Sequence, residues 1–290
     1  MITQKDTIMI QVKDPGFFTS VQDLGRYGYR HFGVPVSGVA DTLSASRVNA
    51  LLENDPADAL LEMTMQGATL EFLEPTFICL GGALMEVELD RLKLEPDQVY
   101  SVKPNQILRC GRTAAGLRTY LGIRGGIKTQ LTLGSRSYFK GITTKGQISK
   151  GDQLEYLPDT TFEPKILKWR YPNHIELEDL DCFKGPEFEL ISFQNQELIL
   201  NKSFTIGKEF NRMGCQLAAP IQEHNLNIIT SATIPGTVQL TPSGKLIVLL
   251  CDGQTTGGYP RVLQLSQHAL SILAQKRYGD SIKFRLNTQV

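Results

Sequence analysis

The segment of the sequence best suited to binding a small polar ligand is Asp252–Pro260, which reads Asp-Gly-Gln-Thr-Thr-Gly-Gly-Tyr-Pro. It follows the apolar run Leu246–Cys251, a pattern typical of a buried strand that ends in a glycine-rich turn. Its amide, hydroxyl and phenol groups are neutral donors and acceptors that suit a ligand with amide or carboxylate groups. The alternative is an elaborate turn held by side-chain hydrogen bonds from Asp252. The residues predicted to bind substrate here are Gln254, Thr255, Thr256 and Tyr259.

Three arginines lie in glycine-rich or serine-rich surroundings: Arg26, Arg136 and Arg212. A guanidinium group binds a carboxylate through two parallel hydrogen bonds, so these side chains suit an acidic substrate or a carboxylated intermediate. Each could instead pair with an acidic residue of the chain and hold a loop in place. For Arg26, which lies close to Asp23 in the sequence, we favour this internal pairing.

Asp41 ends the loop Gly33–Asp41 and precedes a segment with helical spacing of apolar residues. An aspartate in this position is a typical N-cap and contributes about 1 kcal/mol to helix stability. The free backbone N–H groups of a helix N-terminus also favour a carboxylate or phosphate. The sequence leaves both roles open for Asp41, capping alone or capping combined with catalysis.

Composition and motifs exclude several classes of protein. The chain has 290 residues, of which 30 are basic and 30 acidic, so it lacks the basic excess of nucleic-acid binders. No apolar run approaches a membrane span, and we expect a cytoplasmic protein. The five cysteines form no Cys-x-x-Cys pair, which favours buried thiols over a disulfide framework or a metal site. The phosphate-binding loop, the dinucleotide fingerprint, the zinc-binding His-Glu-x-x-His and the Gly-x-Ser-x-Gly elbow are all missing.

Short runs rich in Val, Ile, Leu and Thr recur between turn signals and predict a β-rich sandwich or barrel. The predicted strands are Thr69–Phe72, Phe77–Leu80, Tyr120–Ile123, Glu187–Phe193, Thr237–Leu240 and Leu246–Cys251. Two segments, Asp41–Leu52 and Ser266–Lys276, have helical spacing behind a capping residue and predict short helices packed on a sheet.

The chain also resembles itself in three places that keep their order along the sequence. Phe18-Thr19 with Arg26 matches Phe204-Thr205 with Arg212, Gly67–Glu71 matches Gly236–Leu240, and Gly151–Leu154 matches Gly279–Ile282. This repetition predicts two related β modules, residues 1–165 and 175–290. The seam lies in Pro158–Leu180, which contains the one tryptophan, Trp169. We expect a ligand-binding cleft where two such modules meet.

These segments together resemble the family of the C-type subunit of prokaryotic 5-oxoprolinase, also described as the carboxyltransferase-domain, allophanate hydrolase subunit 2 or sporulation kinase-inhibitor antagonist family. The motifs span nearly the whole chain: Thr19–Arg26, Val34–Gly38 with Asp41, Arg124–Ile127, Leu133–Ser137, Arg212–Gly214 and Gln254–Pro260. The resemblance implies a mainly β chain of two tandem cyclophilin-like β barrels with a few short helices.

The resemblance also implies a hydrolase subunit in a complex with two other oxoprolinase subunits, an A-type subunit and a cyclophilin-like B-type subunit. That complex uses ATP to open 5-oxo-L-proline to L-glutamate. The expected roles are hydrogen bonding by Gln239, Gln254, Thr255 and Thr256, carboxylate binding by Arg136 and Arg212, and base or orienting functions for Asp41 and Asp252. No metal site is expected from the residues.

Two departures from the family pattern stand out. Leu240–Gly244 replaces the usual proline-proline-aspartate-glycine, so this loop has lost an acidic residue. Glu62–Met65 lacks the lysine of a biotinylation site, so we expect that biotin is not carried by this chain. The alternatives are the carboxyltransferase component of a biotin-dependent urea or amide carboxylase, and a non-enzymatic regulator that binds a kinase-inhibitor subunit.

Overall fold

The structure is a computed structural model that describes residues 8–166, 168, 173–226 and 228–287. Trp169, which the sequence places at the seam, lies outside the described residues. The chain divides into two compact units, one formed by 1–26 with 37–173 and the other by 27–36 with 174–290. Residues 27–36 therefore belong to the second unit although they lie early in the chain. Of the helices in the described ranges, none combines the length and the apolar character that a bilayer crossing requires.

The first unit is built on a nine-stranded sheet against which a helix packs. Its elements are β1 (Ile8–Asp14), β2 (Phe18–Gln22), α1 (Thr42–Leu51), β3 (Leu60–Thr64), β4 (Thr69–Phe72), β5 (Thr76–Leu89), β6 (Leu92–Lys93), β7 (Val99–Val102), β8 (Gln106–Ile123) and β9 (Gln153–Tyr156). The long strand β8 organises the sheet. β5 pairs along one side of β8, while β3 and β4 pair with its C-terminal and N-terminal halves on the other side.

The helix α1 packs closely on this sheet because two strand residues lack side chains. A Cβ at Gly122 would lie 2.5 Å from Val48 Cγ1, and a Cβ at Gly81 would lie 2.8 Å from Val48 Cγ2. Val48 is fully buried in consequence. The predicted helix over 41–52 is confirmed, with Asp41 as its N-cap.

The second unit contains a closed seven-stranded barrel in the order β10-β17-β14-β15-β12-β11-β18. Its elements are β10 (Asp179–Lys184), α2 (Phe193–Asn201), β11 (Phe204–Phe210), β12 (Gly214–Leu217), β13 (Ser231–Ala232), β14 (Thr237–Leu240), β15 (Leu246–Leu249), β16 (Thr256–Gly257), β17 (Arg261–Leu265), α3 (Gln267–Ala274) and β18 (Ser281–Leu286). The parallel pairing of β10 with β18 closes the ring. Barrel closure removes exposed sheet edges, and buried apolar side chains fill the core.

The predicted strand Glu187–Phe193 is wrong, and α2 was missed. Phe188–Leu190 forms a 3-10 turn, after which Ser192 caps α2 by accepting a hydrogen bond from the Asn195 N–H. Phe188 and Ile191 both point into the core, so the apolar side chains repeat at three residues rather than at the two of a strand. The second predicted helix, over 266–276, is confirmed as α3 with Ser266 as its N-cap.

The mainly β fold class predicted from the sequence is confirmed, and the other five predicted strands lie in or largely within observed ones. The third sequence repeat has the same local geometry in both units. In the first unit the Gly151 N–H donates to Val12 O (2.8 Å) and the Val12 N–H to Asp152 O (2.9 Å). In the second, the Gly279 N–H donates to Ile206 O (3.1 Å) and the Ile206 N–H to Asp280 O (2.9 Å).

Candidate functional site

Two of the predicted site residues of the second unit form a buried ion pair with each other. Arg212 precedes β12 and Asp252 follows β15, and these two strands are neighbours in the barrel. Arg212 Nε donates to Asp252 Oδ2 (2.8 Å) and Nη2 donates to Oδ1 (3.2 Å), a bidentate arrangement. The two residues are 7% and 8% exposed. The Asp252 carboxylate thus contacts the Arg212 guanidinium, and not the turn that follows it in the sequence.

A pair of carboxamides connects β14 to the glycine-rich segment. Gln239, on β14, is 1% exposed, and its Oε1 accepts a hydrogen bond from Gln254 Nε2 (3.3 Å). Gln239 Nε2 is buried without a hydrogen-bond partner among the described residues. It faces Gly257, where any Cβ would collide with it. A buried unsatisfied donor costs about 1–3 kcal/mol, and such groups in a native fold are candidates for ligand contacts.

A short two-stranded ribbon holds the rest of the glycine-rich segment. β13 pairs with β16, the Thr233 N–H donates to Thr255 O (3.0 Å), and Thr233 Oγ1 donates to Gln254 O (2.6 Å). Thr256 and Tyr259 are exposed, so their side chains are available to a ligand or a partner. The ribbon fixes the backbone between Gln254, an exposed residue whose amide reaches the buried Gln239, and these exposed groups.

A cavity of about 440 Å³ opens on the second unit. Gln254 is the predicted site residue that lines it, with Thr256 and Tyr259 outside the lining. The remaining wall residues are Glu209, Asn211, Met213, Gly214, Gln216, Lys245, Ile247 and Leu249. Gln254 therefore connects the buried Gln239 carboxamide to an open space, whereas the exposed threonine and tyrosine lie on the surface of the segment.

In the first unit, Asp41 acts as the cap of α1. Asp41 Oδ1 accepts from the Ser44 N–H (3.0 Å) and Oδ2 accepts from Ser44 Oγ (2.7 Å), and the residue is fully buried. The capping role is therefore present in the structure, and a catalytic role for Asp41 stays a prediction.

A buried acidic residue that sequence reasoning missed lies next to this cap. Glu62 Oε2 accepts hydrogen bonds from Tyr120 Oη (2.9 Å) and from the Ala40 N–H (2.8 Å), while Tyr120 Oη accepts from the Asp41 N–H (2.8 Å). Burial, followed by the charges of Glu62 and Asp41, raises the pKa of Tyr120 well above its usual value. Arg118 Nε lies 3.7 Å from Glu62 Oε1. The sequence signal was a charged residue inside the otherwise apolar start of β3.

Arg136, the last predicted site residue, lies at a second cavity, of about 650 Å³, within the first unit. Its neighbours are held by Asp23, which accepts from Ser135 Oγ, Ser137 Oγ and the Arg136 N–H, each at 2.6 Å. Ser137 also links Asp23 to Arg26, because its carbonyl oxygen accepts from Arg26 Nη2. Arg26 Nη1 also donates to Ser37 Oγ (3.0 Å), and direct pairing of Arg26 with Asp23 stays a prediction.

The prediction of buried thiols is confirmed for four of the five cysteines. None of the five cysteines, all of which lie in the described ranges, forms a disulfide, and four of them are buried, with Cys251 partly exposed. Burial raises the pKa of the Cys110 thiol to about 12. In the described part of the chain, no group of three His, Cys, Asp or Glu residues is placed to hold a metal ion.

The fold and these polar loops are those of a carboxyltransferase-type protein. Residues 32–286 match the family model described as carboxyltransferase domain, subdomain A and B, and the chain belongs to this family. The resemblance inferred from the motifs is thereby confirmed.

Similar proteins match nearly the whole length of this chain. The chain is 31% identical to the C-type subunit of 5-oxoprolinase from Haemophilus influenzae over 95% of its own length and 90% of that protein. A solved structure of the Kluyveromyces lactis urea carboxylase superposes with a TM-score of 0.84 at 28% identity, over 98% of this chain and 28% of that one. The solved structure of the protein TTHA0988 gives a TM-score of 0.87 at 26% identity, and there the chain spans 97% of its own length but 56% of the solved chain.

Proposed function

We propose that the chain is a subunit of an ATP-dependent 5-oxoprolinase complex, which opens 5-oxo-L-proline to L-glutamate with two partner subunits. The observation that supports this most directly is the 31% identity to a C-type 5-oxoprolinase subunit along nearly the full length of both proteins. The similarity to urea carboxylase covers a much smaller share of that larger chain.

The chemistry of the reaction fits uncharged hydrogen-bonding groups. Amide resonance makes a lactam carbonyl resistant to water, and phosphoryl transfer from ATP to the lactam oxygen would create an electrophilic carbon and ADP. Water then adds to that carbon, the C–N bond breaks as the ring nitrogen takes a proton, and a second water releases phosphate from the resulting acyl phosphate.

The proposed share of this chain is to bind and orient the lactam. Gln239 Nε2 is a buried donor without a partner among the described residues, and Gln254 places a second carboxamide at the cavity wall. Such donors stabilise the negative charge that develops on oxygen when water adds to the phosphorylated carbon. Asp252 and Arg212 neutralise each other and hold the segment that presents Gln254.

The test is ATP-dependent glutamate formation by the chain assembled with its two partner subunits. We expect Gln239→Leu to lower turnover by about 100-fold, the effect of removing one donor to a developing oxyanion. Gln222→Leu, a change of the same size at an exposed position of the same unit, is the control and should leave turnover unchanged. A fully assembled wild-type complex that neither consumes ATP nor opens 5-oxoproline would refute the proposal.

The second candidate is the carboxyltransferase component of a biotin-dependent carboxylase, which the structural similarity to the K. lactis urea carboxylase favours. It needs a carboxybiotin carrier on another protein. Purification of the native chain followed by streptavidin detection distinguishes the two candidates. A stoichiometric biotinylated partner would support the carboxylase, and its absence together with 5-oxoproline-dependent ATP consumption would support the oxoprolinase.

A further inference from the structure

The lining of the cavity in the first unit includes a cationic side chain, Arg136, that forms no ion pair with any described residue. Its lining residues are Lys128, Thr129, Gln130, Thr132, Arg136, Tyr138, Ile142, Thr143, Thr144, Lys145, Asp152, Gln153, Leu154 and Glu155. Lys145 Nζ pairs with Asp152 Oδ1 (2.5 Å), and Lys128 Nζ pairs with Asp58 Oδ1 (3.1 Å). Arg136 is half-buried, and its guanidinium has no ion-pair or hydrogen-bond partner within the described ranges.

The backbone that carries Arg136 is held rigidly. Ser135 and Ser137 are fully buried, and their hydroxyls and the Arg136 N–H all donate to the Asp23 carboxylate. The preceding turn closes with Thr132 N–H donating to Ser135 O (2.8 Å). A guanidinium on such a fixed base loses less freedom when it binds an anion than one on a mobile loop.

A second polar group of the same cavity wall is also unsatisfied. Thr129 Oγ1 is buried and has no hydrogen-bond partner among the described residues. An unsatisfied hydroxyl and an unpaired guanidinium on two residues of one cavity lining are separate indications of a site that a polar ligand completes. Thr132 and Thr144 add further hydroxyls to the lining, whereas the Thr143 hydroxyl is used within its own loop, where it donates to Phe139 O and Lys145 O.

We propose that this cavity binds a small organic monoanion through its carboxylate, with Arg136 as the charged contact. Arginine matches a carboxylate through two parallel hydrogen bonds. Asp152 is already paired with Lys145, and Glu155 adds a negative charge to the lining, so one unpaired cation cannot offset the several negative charges of a polyanion. This proposal gives a site to the carboxylate binding expected of Arg136, and titration of the chain alone tests it whether or not the assembled complex opens 5-oxoproline.

Isothermal titration of the purified full chain tests the proposal with two monocarboxylates, 5-oxo-L-proline and L-lactate, and with inorganic phosphate and ATP. We expect millimolar or tighter binding of at least one monocarboxylate and weaker binding of phosphate and ATP. Arg136→Gln should weaken monocarboxylate binding about 10- to 100-fold, the usual value of a charged bidentate contact. Arg136→Lys keeps the positive charge but loses the two parallel N–H donors of the guanidinium. Its monocarboxylate affinity should lie between that of wild type and that of Arg136→Gln.

Arg91→Gln is the matched control, since it makes the same change at an exposed arginine that is not part of the cavity lining. Circular dichroism of each variant confirms that it has folded. The proposal fails if wild-type protein binds neither monocarboxylate, if phosphate or ATP binds as tightly, or if Arg136→Gln and Arg91→Gln bind alike.

Discussion

Two arginines with the same predicted role have opposite environments in the two units. Arg212 is 7% exposed and forms a bidentate pair with Asp252. Arg136 lines a cavity of about 650 Å³, and its described surroundings provide no carboxylate within ion-pair distance. Both were predicted to bind a substrate carboxylate because each lies close to glycine in a motif of the family.

The difference shows what decides whether an arginine is available to a ligand. In the second unit, the adjacent strands β12 and β15 bring an aspartate of the chain to the guanidinium. In the first unit, Asp23 lies close to Arg136 but is saturated by serine hydroxyls and backbone N–H groups. Arg212 is therefore expected to act in stability, and Arg136 in binding.

The largest change in stability is expected when the buried Arg212–Asp252 ion pair is broken. Arg212→Met leaves the Asp252 carboxylate buried without its partner and should lower the free energy of unfolding by about 3–5 kcal/mol. Urea denaturation followed by circular dichroism measures this. The control is Arg285→Gln, because Arg285 pairs with Asp179 at the surface, with side chains 67% and 44% exposed. That change should cost about 0–1 kcal/mol. Equal losses in the two variants would contradict the distinction.

An intermediate loss of stability is expected from Asp23→Asn. An amide offers one acceptor oxygen where the carboxylate uses both, so at least one buried donor of the Arg136 loop would be left unsatisfied. We expect a loss of about 1–3 kcal/mol in the free energy of unfolding. Asp23 is a positioning residue in this account, so monocarboxylate affinity should also fall while the preference for monocarboxylates over phosphate persists. Unchanged affinity in a destabilised variant would show that the loop does not preorganise Arg136.

A small effect on stability is expected from Arg136→Gln, in contrast to its effect on binding. The contacts that hold this segment use the backbone N–H of residue 136 and the flanking serine hydroxyls, which the substitution keeps. The free energy of unfolding should stay within about 0.5 kcal/mol of wild type. A loss comparable to that of Arg212→Met would mean that Arg136 has a structural partner, and the contrast between the two arginines would disappear.

Much of the fold could be predicted from local patterns. The strands over 69–72 and 237–240 have the predicted bounds, and both predicted helices have the predicted caps, Asp41 and Ser266. These predictions succeeded because the spacing of apolar residues and the identity of the capping residue are local properties of the sequence. The segment 187–193 failed because its buried residues, Phe188 and Ile191, are positioned by packing against the barrel and not by a strand ladder.

The candidate site was less predictable because it depends on residues far apart in the chain. The sequence singled out Arg212 and Asp252 separately, and barrel closure makes them a pair. Glu62 was missed since its partner Tyr120 lies 58 residues away on another strand. The residue type indicates what chemistry a side chain can perform. It does not indicate whether the side chain is free to bind a ligand, because that depends on the neighbours that the fold brings to it.

The smallest expected effect concerns the pH dependence of the Arg136 cavity. Tyr138 lines this cavity, and burial together with the negative charge of Asp152 raises the pKa of its phenol above the usual value. A raised pKa keeps the phenol neutral to higher pH, so no phenolate forms beside Arg136 in the neutral range. Monocarboxylate affinity measured by titration should therefore be constant from about pH 6 to about pH 9, since arginine also keeps its charge there. A fall in affinity between about pH 8 and about pH 9 that Tyr138→Phe removes would show that the phenol ionises in this range and that the cavity is wetter than its burial indicates.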